Sequence, residues 1–151
     1  MTAATWLLLA LAGGLGAATR FKVDSRVGAV LAARRQRGRR RTADASSAAV
    51  TGAGRHLPVA VPLGTVVVNV SACLLLGLLT GASGALAPTL VTILGTGFLG
   101  GYSTFSTACV EAARLMLSGR PWAGFLHAVT MAGTSLLAAV GGLALGAALA
   151  A

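Results

Sequence analysis

One long apolar run, residues 86–117, constrains the fold of this chain more than any other feature. As an unbroken helix it would extend about 48 Å at about 1.5 Å per residue. The hydrocarbon core of a bilayer is only about 30 Å thick. Glycine tolerates backbone angles that other residues resist, and four glycines lie near the middle of the run. We therefore predict a helix interrupted at its glycines, which are Gly95, Gly97, Gly100 and Gly101.

Hydroxyl side chains follow these glycines directly, at Ser103, Thr104, Ser106 and Thr107. An interrupted helix exposes backbone carbonyls, which hydrocarbon tolerates only where protein, water or an ion satisfies them. Broken helices near the bilayer midplane are also where ion sites form. Small residues alone favour a simpler alternative, the close packing of two helices. The combination of glycines and hydroxyls predicts an ion site instead.

Composition excludes a soluble globular domain, because 56% of the 151 residues are hydrophobic and only 10% are charged. No basic residue precedes the first apolar run, so we interpret it as a retained span and not a signal peptide. We predict one all-α membrane domain over residues 1–151, with four transmembrane helices and the third broken near its middle. The predicted spans are residues 3–19, 59–81, 86–117 and 122–150.

Four helices joined by so short a connection as residues 82–85 are too few to enclose a wide pore. A transport path through such a bundle needs a second subunit or runs along the surface of the helices. We therefore expect a dimer.

Asn69 is the most informative residue of the second span. A buried amide without partners costs on the order of several kcal/mol in hydrocarbon. Its two N–H donors suit a small, strongly hydrated anion. Thr65 lies four residues earlier on the same helix face. The residues leave two interpretations open, which are anion contact and a hydrogen bond that holds two helices together.

The fourth span carries Thr130 and Thr134 one turn apart. Hydroxyls at this spacing can line a narrow polar path. They also commonly bond back to carbonyls of their own helix, and both alternatives remain open.

Several charged or titratable residues lie near the predicted membrane edges. Arg20 either raises the local concentration of an approaching anion or anchors the helix to headgroups. Glu111 and Arg114 are three residues apart on one predicted helix face, which favours an ion pair between them. His127 stands alone in the sequence and is interpreted as interfacial or packed.

Residues 22–57 differ in character from the apolar spans. They contain the run RRQRGRRR at 34–41, followed by a small polar stretch. We predict a basic cytoplasmic loop that is disordered in part. The run has no interleaved aromatic residues and lies between two spans, so contact with anionic lipid headgroups is favoured over nucleic acid.

Three strings resemble the Fluc/CrcB family of fluoride channels. GGYSTFST at 100–107 resembles the family signature GGxTTFSTF, LGTVVVNVSACLLLG at 63–77 resembles GTLxVNxxGxF, and GGLGAATRF at 13–21 resembles GGxxGAxxRY. The resemblance covers the chain except residues 22–57. It implies a passive channel that exports fluoride through the plasma membrane, built as an antiparallel dimer with two narrow pores.

The resemblance also implies roles for individual residues. Asn69 contacts fluoride, as does Phe105, whose ring edge carries partial positive charge. A sodium ion lies at the dimer centre on the carbonyls of Gly100 and Ser103. Ala108 stands where the family has a second phenylalanine. The remaining residues of the implied fluoride pathway are Arg20, Thr65, Thr104, Ser106, Thr107, Thr130 and Thr134.

All 12 basic residues fall within 20–55 or at Arg114 and Arg120, which are the two connections on one side of the predicted membrane domain. The positive-inside rule therefore predicts both connections in the cytoplasm. An antiparallel dimer needs a subunit of opposite orientation, so we expect a heterodimer with a paralogue. A homodimer that inserts both ways is the alternative.

A small four-helix, proton-coupled multidrug exporter is the alternative function. It requires a titratable group in the transport path, and the first span has none. No group is placed for catalysis, so we do not expect an enzyme. Hydrogen-bond donors and aromatic ring edges can contact either fluoride or chloride, so these residues leave the choice between the two ions open.

Overall fold

The computed structural model describes residues 2–45 and 63–151, and every element within these ranges is helical. The membrane class predicted from composition is confirmed: three helices of the described ranges, Ala3–Gly38, Leu63–Gly81 and Pro121–Leu149, are long and apolar enough to cross a bilayer. The helices are α1 (Ala3–Ala45), α2 (Leu63–Gly81), α3 (Pro88–Thr92), α4 (Gly100–Tyr102), α5 (Phe105–Leu117) and α6 (Pro121–Leu149). A 3-10 turn, Ser83–Ala85, follows α2, and a π-helical segment, Ile93–Leu99, joins α3 to α4.

Helices α2 and α6 pack closely along a seam of glycines. A Cβ added at Gly77 would collide with the backbone of Ala139 and Leu143, and one at Gly81 would collide with Leu143 and Ala147. Small residues at this spacing let two membrane helices approach backbone to backbone. Residue numbers at the contacts increase together along both helices, so α2 and α6 run parallel. The chain that connects the end of α2 to the start of α6 must therefore return to the other end of the bundle.

That return crossing is made by the segments of residues 88–117, which pack against α1. Gly97 lies against Leu9 and Ala12, and a Cβ at Gly101 would collide with the carbonyl of Gly13. The register again advances in the same direction, so the segmented run is parallel to α1. The absence of a side chain at Gly13 and Gly101 therefore lets α1 and the third pass approach closely.

The structure differs from the expected loop at residues 22–57. Helix α1 continues without interruption through Ala45, so residues 22–45 of that stretch are helical. Arg and Ala are the commonest residues there and are strong helix formers. Residues 46–57, the remainder of the predicted loop, lie outside the described residues.

Large apolar side chains cover the outer surface of the bundle. Leu7 on α1 is 62% exposed and Leu137 on α6 is 73% exposed, whereas the interior cluster centres on Val68, Leu99 and Tyr102. An apolar exterior suits hydrocarbon and not water. The chain is a multi-pass membrane protein.

Candidate ion pathway

The helical run is interrupted between α4 and α5. Ser103 (φ −72°, ψ 160°) and Thr104 (φ −149°, ψ 111°) are both extended. Thr104 then caps α5, because its Oγ1 accepts a hydrogen bond from the Thr107 N–H at 3.3 Å. Helix α5 thus begins with its own cap and does not continue α4.

Asn69 is paired with the backbone at this interruption. Its Nδ2 donates to the Thr104 carbonyl at 2.8 Å, and its Oδ1 accepts from the Thr104 N–H at 2.7 Å. In a continuous helix that N–H would donate to the carbonyl of Gly100. The buried amide of α2 therefore replaces a helical hydrogen bond and leaves the Gly100 carbonyl without that donor.

The second amide hydrogen of Asn69 has only a weak partner. Nδ2 lies 4.0 Å from the sulfur of Met131 on α6, and a thioether is a poor acceptor. One of the two interpretations open from sequence, a hydrogen bond between passes, is therefore formed. The same amide retains a donor that can act on an anion.

A groove of about 160 Å³ runs beside the interruption. It combines hydroxyl groups from two passes with the charged ends of Arg20 and Asp24. It brings together residues that are far apart in sequence, four of them predicted for the pathway. Its lining residues are Ala17, Arg20, Phe21, Asp24, Thr65, Val68, Thr104 and Thr107.

Arg20 has a partner within the chain, because its Nη1 donates to the Ser103 carbonyl at 3.3 Å. That carbonyl is one of the two expected to hold sodium. A carbonyl oxygen has two lone pairs and can accept Arg20 while it coordinates a cation. Gly100, the other expected ligand, is exposed on the surface of the single chain.

The hydroxyls that follow the interruption form a small network, whereas the neighbouring side chain of Phe105 is exposed. Thr104 Oγ1 lies 2.9 Å from Thr107 Oγ1 and 3.4 Å from Ser106 Oγ. The side chain of Phe105 is 84% exposed. Its ring is therefore available to lipid or to a second subunit.

The expected ion pair between Glu111 and Arg114 is wrong. Glu111 Oε1 accepts from Thr65 Oγ1 at 2.5 Å, and Oε2 lies 3.4 Å from Nε2 of His127. Arg114 is exposed near the end of α5. The reason is that the face of α5 that carries Glu111 packs on α6, which supplies an imidazole from another pass. His127 is packed, one of the two expectations for it.

Helix α6 presents different polar groups to the interior than the sequence suggested. Thr134 Oγ1 donates to the Thr130 carbonyl at 2.7 Å, which is a bond within its own helix. Neither threonine lines the groove, so their place on a pathway stays a prediction. His127, Met131 and Ser135 recur every four residues on the inward face of α6.

Ser135 lies beside Thr134 and is a polar residue that the sequence analysis did not assign to the pathway. Within the described residues its Oγ is buried and has no hydrogen-bond partner. The signal that was available is its spacing of four from Met131 and eight from His127, which places all three on one helix face.

Comparison with known proteins gives consistent matches over nearly the whole chain. The family described as CrcB-like protein, Camphor Resistance (CrcB), matches residues 7–143. A Cutibacterium acnes protein named Fluoride-specific ion channel FluC 2 is 41% identical over 145 residues, which cover 94% of this chain and 97% of that relative. A Symbiobacterium thermophilum protein named Fluoride-specific ion channel FluC 1 is 37% identical over 145 residues, with coverage of 94% and 97%.

Proposed function

This chain belongs to the CrcB family, and from that premise we propose that it is a passive fluoride-selective channel through which fluoride leaves the cytoplasm. The observation that carries the proposal is the groove beside Ser103 and Thr104, which Arg20 and three threonine hydroxyls line and where Asn69 holds the backbone of Thr104. The names of the relatives support fluoride as the ion. The protein is a channel and not an enzyme.

The chemistry of the groove suits a small, strongly hydrated anion. Such an ion leaves water only where donors replace its hydration shell. Thr65, Thr104 and Thr107 offer hydroxyls along the groove, and the Arg20 guanidinium attracts anions to it. None of these hydroxyls carries a fixed charge, so contact stays weak enough for release.

A second subunit completes the pathway in this proposal. The Phe105 ring is 84% exposed in the single chain, and a partner would bury it beside the passing ion. Its ring edge then contacts the anion without the affinity of a cation. The proposed dimer is antiparallel, and a paralogous subunit of opposite charge bias supplies the aromatic ring that Ala108 lacks.

The third pass acts in this proposal as one transmembrane helix broken at Ser103 and Thr104. Gly100 is exposed on the single chain, and the Thr104 N–H that a continuous helix would give to its carbonyl is bonded to Asn69 instead. In the proposed dimer the partner would bring a matching carbonyl beside it. Together with the Ser103 carbonyls these oxygens would hold sodium at the dimer centre. A bound cation there offsets the carbonyl dipoles of the two broken helices.

Efflux from liposomes tests the proposal. Reconstituted protein should release fluoride down its own gradient, without a proton gradient, while a chloride electrode detects far slower release. The second candidate is proton-coupled export, which the buried pair of Glu111 and His127 favours. Fluoride release that requires an imposed proton gradient would replace the channel with that exporter.

A further inference from the structure

Glu111 and His127 form a buried pair that the proposed conduction path does not use. Their side chains are 12% and 5% exposed, and Oε2 lies 3.4 Å from Nε2. Within the described part of the chain neither atom has a hydrogen-bond partner. The remaining carboxylate oxygen is already bonded to Thr65. Among the described residues, neither atom forms a hydrogen bond to any other group, so the contact at 3.4 Å is the interaction that joins them.

Such a contact depends on a proton. A carboxylate and an imidazole in this geometry interact favourably only when one of them carries hydrogen between the two atoms. With a carboxylate and a neutral imidazole, the pair has a net charge of minus one. Uptake of one more proton makes the pair neutral, because the charge of the imidazolium cancels that of the carboxylate.

The pair adjoins the groove through two residues that line it. Thr65 lines the groove and donates to Glu111. Thr107 also lines the groove and lies one helical turn before Glu111, on the same face of α5. A change of charge on the pair is therefore felt by an anion in the groove.

Few other charges act at this place. Arg20 and Asp24 from α1 line the groove, and Asp24 interacts electrostatically with Glu111. Arg114, on α5 itself, is exposed. The described residues of α2 and α6 add no further acidic or basic side chain beside His127.

We infer that Glu111 and His127 form a proton-sharing pair that accelerates fluoride conduction as the pH falls. The sign follows from the charges: protonation removes a negative charge beside the path of an anion, and deprotonation restores it. The inference rests on the proposed fluoride channel. His127 acts through Glu111 and is a positioning residue.

Fluoride efflux at about pH 6 and about pH 8, on either side of the ordinary histidine pKa, measures the effect. The leak of protein-free liposomes is subtracted at each pH. We expect efflux about tenfold faster at the lower pH, the scale of one charge near a partly screened path. His127→Gln keeps a donor without a titrating ring, and Glu111→Gln removes the charge, so both should conduct equally at the two pH values.

His56→Gln is the matched control, because it removes the only other histidine of the sequence. It should keep the wild-type ratio of rates. A wild-type ratio near one, or a His127→Gln variant that retains the wild-type ratio, overturns the inference while the channel itself stands. Absence of fluoride efflux above the leak at both pH values contradicts the proposed function instead.

A second readout needs no transport. NMR of protein with labelled histidine side chains reports the environment of the His127 Nε2 directly. Its signal should shift in Glu111→Gln, whereas the signal of His56 should not. An unchanged His127 signal would show that the two side chains do not interact.

Discussion

Asn69 and Glu111 are polar residues of the interior that are each bonded to a residue lining one groove, Thr104 and Thr65 respectively, yet their partners differ. Asn69 makes two hydrogen bonds, of 2.8 and 2.7 Å, to the backbone of a single residue, Thr104. Glu111 makes one, to Thr65, and leaves Oε2 facing His127 at 3.4 Å. An amide paired with backbone keeps the same geometry at any pH. A carboxylate beside an imidazole changes its interaction with each proton gained or lost.

The difference indicates that the two pairs have separate roles beside the groove. The Asn69 pair fixes where the chain is interrupted, because it substitutes for the helical bond to Gly100. The Glu111 pair sets the local charge. Mutations that separate geometry from charge therefore test the comparison directly.

Replacement of Asn69 by Leu should have the largest effect. It leaves the N–H and carbonyl of Thr104 buried without partners, at about 1–3 kcal/mol for each group, and it removes the amide donor. We expect fluoride efflux to fall about a hundredfold, equivalent to about 2.7 kcal/mol, with the same elution volume as the wild type on gel filtration. Val67→Leu, at an exposed position of the same helix, is the control. Normal conduction by Asn69→Leu would remove the assigned role of the amide.

Gly100 and Gly101 test the geometry of the interrupted pass, because their surroundings differ. A Cβ at Gly100 meets nothing closer than the Gly95 carbonyl at 3.8 Å, whereas one at Gly101 collides with the backbone of Gly13. Gly101→Leu should therefore reduce folded protein in detergent. Gly100→Leu should leave the single chain folded but disturb the proposed dimer and its proposed sodium site.

The readout for Gly100→Leu is dimer mass by light scattering, with fluoride efflux alongside. We expect dissociation, or a loss of efflux of about tenfold or more, since a leucine side chain lies at the proposed interface. A Gly100→Leu protein that dimerises and conducts like the wild type would contradict a second subunit at this surface. Gly100→Ala is the smaller matched change and should be mild.

Phe105 belongs to neither the Asn69 pair nor the Glu111 pair, and its side chain is exposed. Variants of Phe105 test whether the conduction path also includes this ring. Phe105→Ile loses the ring edge and should slow efflux about tenfold, on the scale of about 1.4 kcal/mol. Phe105→Tyr keeps the ring edge and should conduct close to the wild-type rate. Equal rates for the two variants would remove the ring from the pathway.

Thr65→Val should have the smallest effect. The change keeps the shape of the side chain but removes the donor to Glu111, a bond to a charged group worth about 1.5–3 kcal/mol. We expect a few-fold loss of efflux and an altered ratio of rates between low and high pH. Thr65→Ser keeps the hydroxyl and should restore both values. An unchanged ratio in Thr65→Val would show that Glu111 is held by other contacts.

Much of this protein was predictable from its sequence, because the decisive signals are local. Apolar runs identify the membrane passes. The interruption was predicted at the glycines of the run 86–117, but Gly95, Gly97, Gly100 and Gly101 are all helical, and the extended residues are Ser103 and Thr104, which follow them. Four residues predicted for the pathway line one groove. Hydropathy belongs to a residue and its neighbours, so no knowledge of the packing was needed to identify the passes.

Tertiary structure alone decided which residue meets which. Asn69 pairs with the backbone of a residue 35 positions later, and Glu111 lies beside His127 from another pass and not beside Arg114, which is near in sequence. Likewise α6 turns His127 and the hydroxyl of Ser135 toward the interior of the bundle. Thr130 is exposed, and Thr134 bonds to its own helix. The physical reason is that helical periodicity shows which side chains share a face, whereas the packing of the passes determines what that face contacts.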